Sequence, residues 1–143
     1  AKVLTTHNVN ILPLICYEVI FPDFSKNIKK KYNLIVNITN DAWYGNTSGP
    51  YQHFALAKIR AVQEGLTLIR VANNGISGII RHDGVVTSKL ELGVKGVIKK
   101  EISLYKSNTL YKAFGDKIFY GLFMVLLTSL IYFEVRLRGK NEF

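Results

Sequence analysis

At 143 residues the chain has the length of one domain and can bury a single core. One cysteine excludes an internal disulfide framework and any cysteine-rich zinc site. The formal net charge is +9, but the cations are scattered apart from Lys29-Lys30-Lys31 and Lys99-Lys100. Zinc-finger spacing, aromatic RNP patterns and basic heptads are all missing, which argues against nucleic acid as a partner.

The first residue is Ala1, and no basic, apolar, small-residue series of a secretory signal follows it. The start therefore reads as internal, with further polypeptide expected upstream in the same gene or as a separate chain. Residues 9–17 read as a buried strand in which Pro13 suits an edge or a bulge. A short polar helix is expected after Pro22, with Asp23 near its positive end and Lys29 to Lys31 near its negative end. Residues 33–39, "NLIVNIT", form a second buried strand, and residues 40–50, "NDAWYGNTSGP", form a loop too long for a simple turn.

Residues 51–64 predict a helix with Ala55, Ile59 and Val62 on its apolar face and Gly65 as its stop. A third apolar strand spans residues 67–72. Strands at 76–81 and 85–92 flank Asp83-Gly84, a strong hairpin signal, and residues 94–104 add another strand. The order is βαβαβ followed by hairpins, so the expected class is α/β with a mixed sheet.

Ile118 to Phe133 is a run of 16 uncharged residues, apolar all round, and extending it to Leu137 reaches the ~20 residues of a bilayer span. Arg136, Arg138 and Lys140 follow directly, which predicts a membrane segment with a cytoplasmic C-terminus and the preceding domain on the opposite side.

By composition alone Cys16 is a small apolar core residue. Its position suggests more, because a thiol at the carboxyl end of a buried strand sits where α/β folds place their active sites. There, helix-terminal N–H groups favour a thiolate and hold an oxyanion. Two further loops fall at equivalent places: "TNDAWYG", residues 39–45, after the second strand, and "ANNGIS", residues 72–77, after the third. Each alone is ordinary turn chemistry. Together, at three strand ends, they predict one cleft. Glu64 is expected to pair with Lys58, Arg60 or Arg70, and His53 and His82 leave a Cys-His dyad open beside a purely structural role.

The stretches "PLICYEVIFPD" and "NITNDAWYGNTSGPYQHFALAKIRAVQEGLTLIRVANNGISGII", with the terminal apolar helix, resemble the C-terminal part of bacterial apolipoprotein N-acyltransferase, a membrane member of the nitrilase superfamily. The resemblance implies a partial nitrilase-type αββα sandwich over residues 1–112, a transmembrane helix over 113–138 and a basic cytoplasmic tail over 139–143. It places the domain on the periplasmic side of the bacterial inner membrane. It implies transfer of an acyl chain from a phospholipid to the N-terminal amine of a diacylglyceryl-cysteine apolipoprotein, through a thioester on Cys16, with no metal or organic cofactor. Tyr17 and Glu18 match supporting positions beside the nucleophile. Trp43 and Tyr44 match the aromatic pair of a lipid-facing cleft, to which Asn40, Asp41, His53, Asn73 and Asn74 are added as substrate-binding candidates.

The superfamily's general base is a glutamate and its oxyanion donor a lysine, both upstream of the cysteine. Here only Lys2 carries charge before Cys16, so the chain by itself is expected to be inactive, its partners including the upstream half of the same enzyme. An inactive membrane-anchored remnant is the alternative; a soluble nitrilase-type amidase is disfavoured by the apolar run.

Overall fold

The computed structural model describes residues 2–22, 25 and 28–140, which fall in two compact units, Ala1–Thr109 and Leu110–Phe143. The first unit is built on a sheet of six strands in sequential order: β1 (Leu4–Thr6), β2 (Val9–Ile15), β3 (Leu34–Asn40), β4 (Leu68–Asn73), β5 (Ser77–Ile80) and β6 (Val86–Leu90). β2, β3 and β4 run parallel, and the remaining neighbours pair antiparallel, so the sheet is mixed. Pro13 pairs with Val36 in β3 but lies beyond the point where β1 ends opposite Ile11. The strand is an edge there, and the missing N–H costs no ladder bond on that side.

Helix α1 (Gly49–Glu64) packs on one face of the sheet. Its buried stripe is Pro50, His53, Phe54, Ala57, Arg60, Ala61 and Glu64, not the expected Ala55, Ile59 and Val62, which face outward. Hydropathy chose the wrong face because three of the inward residues are polar and each has its own partner. His53 meets Asp41, Arg60 Nε donates to the Val19 carbonyl, and the Tyr32 hydroxyl donates to Glu64. Ala57 and Ala61, one turn apart, bring the helix close to Leu12, Leu14, Ile35, Leu68 and Ile80. Gly65, at φ +64, ends the helix by donating to the Ala61 and Val62 carbonyls.

The opposite face is covered only in part, Leu34 and Ile79 on it being buried. Ile15, Ile38 and Val71 stand side by side in register across β2, β3 and β4 and remain 54%, 52% and 51% exposed. Parallel strands are ordinarily covered on both faces, and these carry the apolar residues for it.

In the first unit one strand is additional to those expected and one expected strand fails. A strand pair β1–β2 forms around His7 and Asn8, both in the left-handed region at φ +42 and +67, where the sequence offers no glycine to announce a tight turn. Residues 94–104 do not form a strand. Gly93, at φ +74, turns the chain after β6, and Val97 beyond it is 91% exposed. That segment is held instead by single bonds: Lys100 to the Thr87 carbonyl, Thr67 to the Ser103 carbonyl, and an isolated bridge between Leu66 and Lys106. The helix expected after Pro22 falls mainly on residues 23, 24, 26 and 27, outside the described residues, while Lys29 to Lys31 are not helical.

The second unit holds a short helix, α2 (Leu110–Phe114), and a long one, α3 (Lys117–Lys140). Lys117–Leu137 is a 21-residue stretch containing an 18-residue window of mean hydropathy 1.9, long and apolar enough to cross a membrane. At about 1.5 Å per residue it reaches roughly the 30 Å thickness of a hydrocarbon core. Phe119, Tyr120 and Phe123 cluster at one end and Tyr132 and Phe133 at the other, the distribution of interfacial aromatic belts.

Candidate active site

Cys16 sits at the carboxyl end of β2 with φ +51, a left-handed conformation that costs a non-glycine residue about 1–2 kcal/mol. It opens a 3-10 turn, Cys16–Ile20, which is fixed at several points. The Ile15 N–H donates to Glu18 Oε2 at 2.7 Å, and the Phe21 N–H donates to the Glu18 carbonyl. Asn37, from the neighbouring strand, donates through Nδ2 to the carbonyls of Leu14 (2.9 Å) and Cys16 (3.3 Å). Val19 is buried in the core, and its carbonyl accepts from Arg60. The thiol is thus presented on a sharp, braced elbow, and the Glu18 carboxylate is occupied in making it.

A buried polar cluster underlies this elbow. The Asn37 Oδ1 accepts from Arg70 in a short hydrogen bond, and the two residues are register partners on β3 and β4. Arg70 Nη2 donates to Asp41 Oδ2 at 2.7 Å and Arg70 Nε to the Ile76 carbonyl. The other Asp41 oxygen accepts from Thr39 at 3.1 Å and meets His53 Nδ1 at 2.9 Å. Burial opposes ionisation of Asp41, yet His53 and the Arg70 guanidinium together hold its carboxyl below the ordinary carboxylate value. Burial also lowers Arg70, against the attraction of Asp41, and an arginine still stays cationic. Gly75 is required by this packing, since a Cβ there would stand 2.4 Å from Asp41 Oδ2.

Aromatic rings close the cluster off. The Tyr17 ring stacks on His53 with centroids 5.1 Å apart, and Tyr44 meets the same imidazole edge-on at 6.1 Å. The Tyr44 hydroxyl donates to that of Tyr17 in a short hydrogen bond. Burial, then the Tyr17 hydroxyl, push the Tyr44 phenol above its ordinary value, and the Asp41 charge adds to this. Trp43, next to it, is 84% exposed. The loops after β3 and β4 are tied together where Asn73 Nδ2 donates to Asn40 Oδ1 and the Asp41 N–H to the Asn73 carbonyl. Asn74 follows in the left-handed region at φ +54.

The structure therefore brings Cys16, Tyr17, Glu18, Asn40, Asp41, Tyr44, His53 and Asn73 into one connected arrangement, with Asn74 and Trp43 on its exposed loops. Asp41 and His53 lie in its floor, His53 being 2% exposed. His53 turns Nδ1 to Asp41, and its Nε2 has no hydrogen-bond partner among the described residues, so no Cys-His dyad is formed. His82 stacks on Tyr105 at 4.4 Å instead. Arg70, one of three alternative partners expected for Glu64, pairs with Asp41. Asn37, Thr39 and Arg70 were missed as site residues, although a polar side chain in the middle of an apolar, parallel strand is itself the signal. No group of three or more His, Cys, Asp or Glu side chains converges as a metal site among the described residues.

Residues 1–110 match the carbon-nitrogen hydrolase family. The chain is 49% identical over 117 residues to an apolipoprotein N-acyltransferase of Rickettsia bellii, covering 79% of this chain and 23% of that protein. It is 54% identical over 89 residues to the one of Brucella suis, covering 62% and 17%. The chain thus spans about a quarter or less of the length of these curated relatives. Among solved structures, an amidase from Nesterenkonia sp. superposes with a TM-score of 0.51 at 24% identity, over 64% of this chain and 37% of that one, a likeness of fold. With a thiol elbow at the end of a parallel strand, a mixed sheet of this order and a family match over most of its length, the chain belongs to the carbon-nitrogen hydrolase family.

Proposed function

We propose that this chain is the C-terminal part of an apolipoprotein N-acyltransferase, in which Cys16 accepts an acyl group from a phospholipid and passes it to the N-terminal amine of a diacylglyceryl-cysteine apolipoprotein. The observation that carries the reading is the braced left-handed elbow at Cys16 in a chain about half identical to relatives of that name. In the first half-reaction the thiolate attacks the ester carbonyl, a tetrahedral oxyanion forms, and the glycerol oxygen leaves with a proton. In the second, the apolipoprotein amine attacks the thioester and the thiolate leaves. Splitting the exchange this way replaces one difficult step by two easier ones.

The nearby carboxylates are already engaged, Glu18 with the Ile15 N–H and Asp41 with Arg70 and His53. The general base and the oxyanion lysine are accordingly assigned to polypeptide upstream of this chain, and the same polypeptide would cover Ile15, Ile38 and Val71. Residues 1–112 form the C-terminal part of the hydrolase-like domain, residues 113–138 span the bacterial inner membrane, and residues 139–143 are a cytoplasmic tail. The catalytic domain then lies on the periplasmic side. Tyr44 and Trp43 line the acyl cleft, with Asn40, Asn73 and Asn74 on its rim, while Tyr17, Glu18, Asp41 and His53 support the nucleophile from beneath. A soluble amidase would have no use for the apolar stretch Lys117–Leu137.

The test is turnover of the complete enzyme carrying Cys16→Ser or Cys16→Ala. Both variants should fold normally and lose lipoprotein N-acylation, because the serine hydroxyl stays un-ionised without a strong base and alanine has no nucleophilic atom. Near-normal N-acylation by either one would remove Cys16 as the nucleophile.

A further inference from the structure

The polar floor of the site contains a complete ion pair that the chemistry of the thioester does not itself require. Burying Arg70 and Asp41 carries a desolvation cost that neighbouring hydrogen bonds must offset, and a purely apolar filling of the same space is often as stable. Its connections indicate a use. Arg70 reaches Asn37 Oδ1, and Asn37 Nδ2 reaches the carbonyls on both sides of the strained bond pair at Cys16. Only two hydrogen bonds separate the guanidinium from the nucleophile's own backbone.

We propose that Arg70 is a positioning residue for Cys16: through Asn37 it locks the left-handed elbow, and the balance of its charge against Asp41 sets how readily the thiol reacts. An amide donating to two successive-but-one carbonyls defines their orientation only if its own oxygen is fixed. Arg70 fixes it, and is itself fixed by Asp41 and by the Ile76 carbonyl. Burial works against the Arg70 cation, and the charges that favour it are those of Asp41 first and then Cys16, so the guanidinium and the thiol side chain feel each other. The remaining polar side chains around the pair, Thr39, His53, Tyr17 and Tyr44, complete the enclosure. The inference rests on Cys16 being a reactive thiol, and not on the identity of the acyl donor or acceptor.

Because Cys16 is the only cysteine, its reactivity is read directly by alkylation of the full chain in detergent with the neutral reagent iodoacetamide at pH 7, followed by intact mass. Asp41→Asn leaves the guanidinium uncompensated and should speed alkylation about threefold or more, whereas Arg70→Gln leaves a buried carboxylate and should slow it by a similar factor. The double variant, which restores neutrality, should return to within about twofold of the parent. Circular dichroism separates loss of fold from loss of charge balance. If Arg70→Gln does not fold, the Asp41→Asn and double variants still decide. Shifts in the same direction for both single variants, or no shift in the folded ones, overturn the proposal. Because alkylation is independent of acyl transfer, these outcomes stand whether or not the chain belongs to an acyltransferase.

Discussion

Cys16 occupies a conformation that glycine adopts freely and other L residues resist, so the elbow stores backbone strain at the residue proposed as the nucleophile. Removing the side chain should release it. Cys16→Gly is therefore expected to be more stable than Cys16→Ala by about 1 kcal/mol, less the backbone entropy that glycine loses on folding. Comparing the denaturant midpoints of the two variants checks this, and an alanine variant clearly more stable than the glycine one would mean that the elbow is not left-handed in solution. Glu18 acts at the same scale. One oxygen of its carboxylate accepts from the Ile15 N–H, which ties a residue two positions from the thiol into the frame of the elbow.

Among the elements, the loop between β3 and α1 divides its labour by burial. Asp41 turns inward to Arg70, Tyr44 lies half-covered against Tyr17, and Trp43 stands in solvent. Exposed loop aromatics contribute little to a core and much to a ligand surface. Replacing Trp43 and Tyr44 together with alanine should cut acyl-donor use by an order of magnitude or more while lowering Tm by only a few degrees. The reverse pattern, a large loss of stability with normal kinetics, would place the pair in the core.

Legibility follows the same division. The parallel strands, α1 and its Gly65 stop, and the Asp83-Gly84 hairpin were readable because apolar runs, helical spacing and turn residues are local signals. The buried face of α1 was not, because His53, Arg60 and Glu64 look like surface residues until their partners on other strands are known. Asn37 and Arg70 are 33 residues apart in sequence, and only the parallel register makes them neighbours. The segment after Gly93 misled in the opposite way, since its valines and isoleucine suggest a strand, yet it lies beyond β6 without forming a further ladder.

At the scale of the whole molecule, one sheet face is covered by α1 and the other only in part, and the exposed row Ile15, Ile38, Val71 begins at the residue next to the thiol. A second layer packed there would reach the site directly, which is where the account places the missing base and oxyanion donor. Losing general-base help alone costs typically about 10²–10⁴-fold. The measurement that bears most directly on this is intact mass spectrometry of the chain in detergent after exposure to a phospholipid with a labelled acyl group, with and without the co-expressed upstream polypeptide. A labelled, hydroxylamine-sensitive thioester on Cys16 is expected only when the upstream polypeptide is present. Label on another residue, or label on Cys16 at an enzyme-like rate in the chain alone, would contradict it.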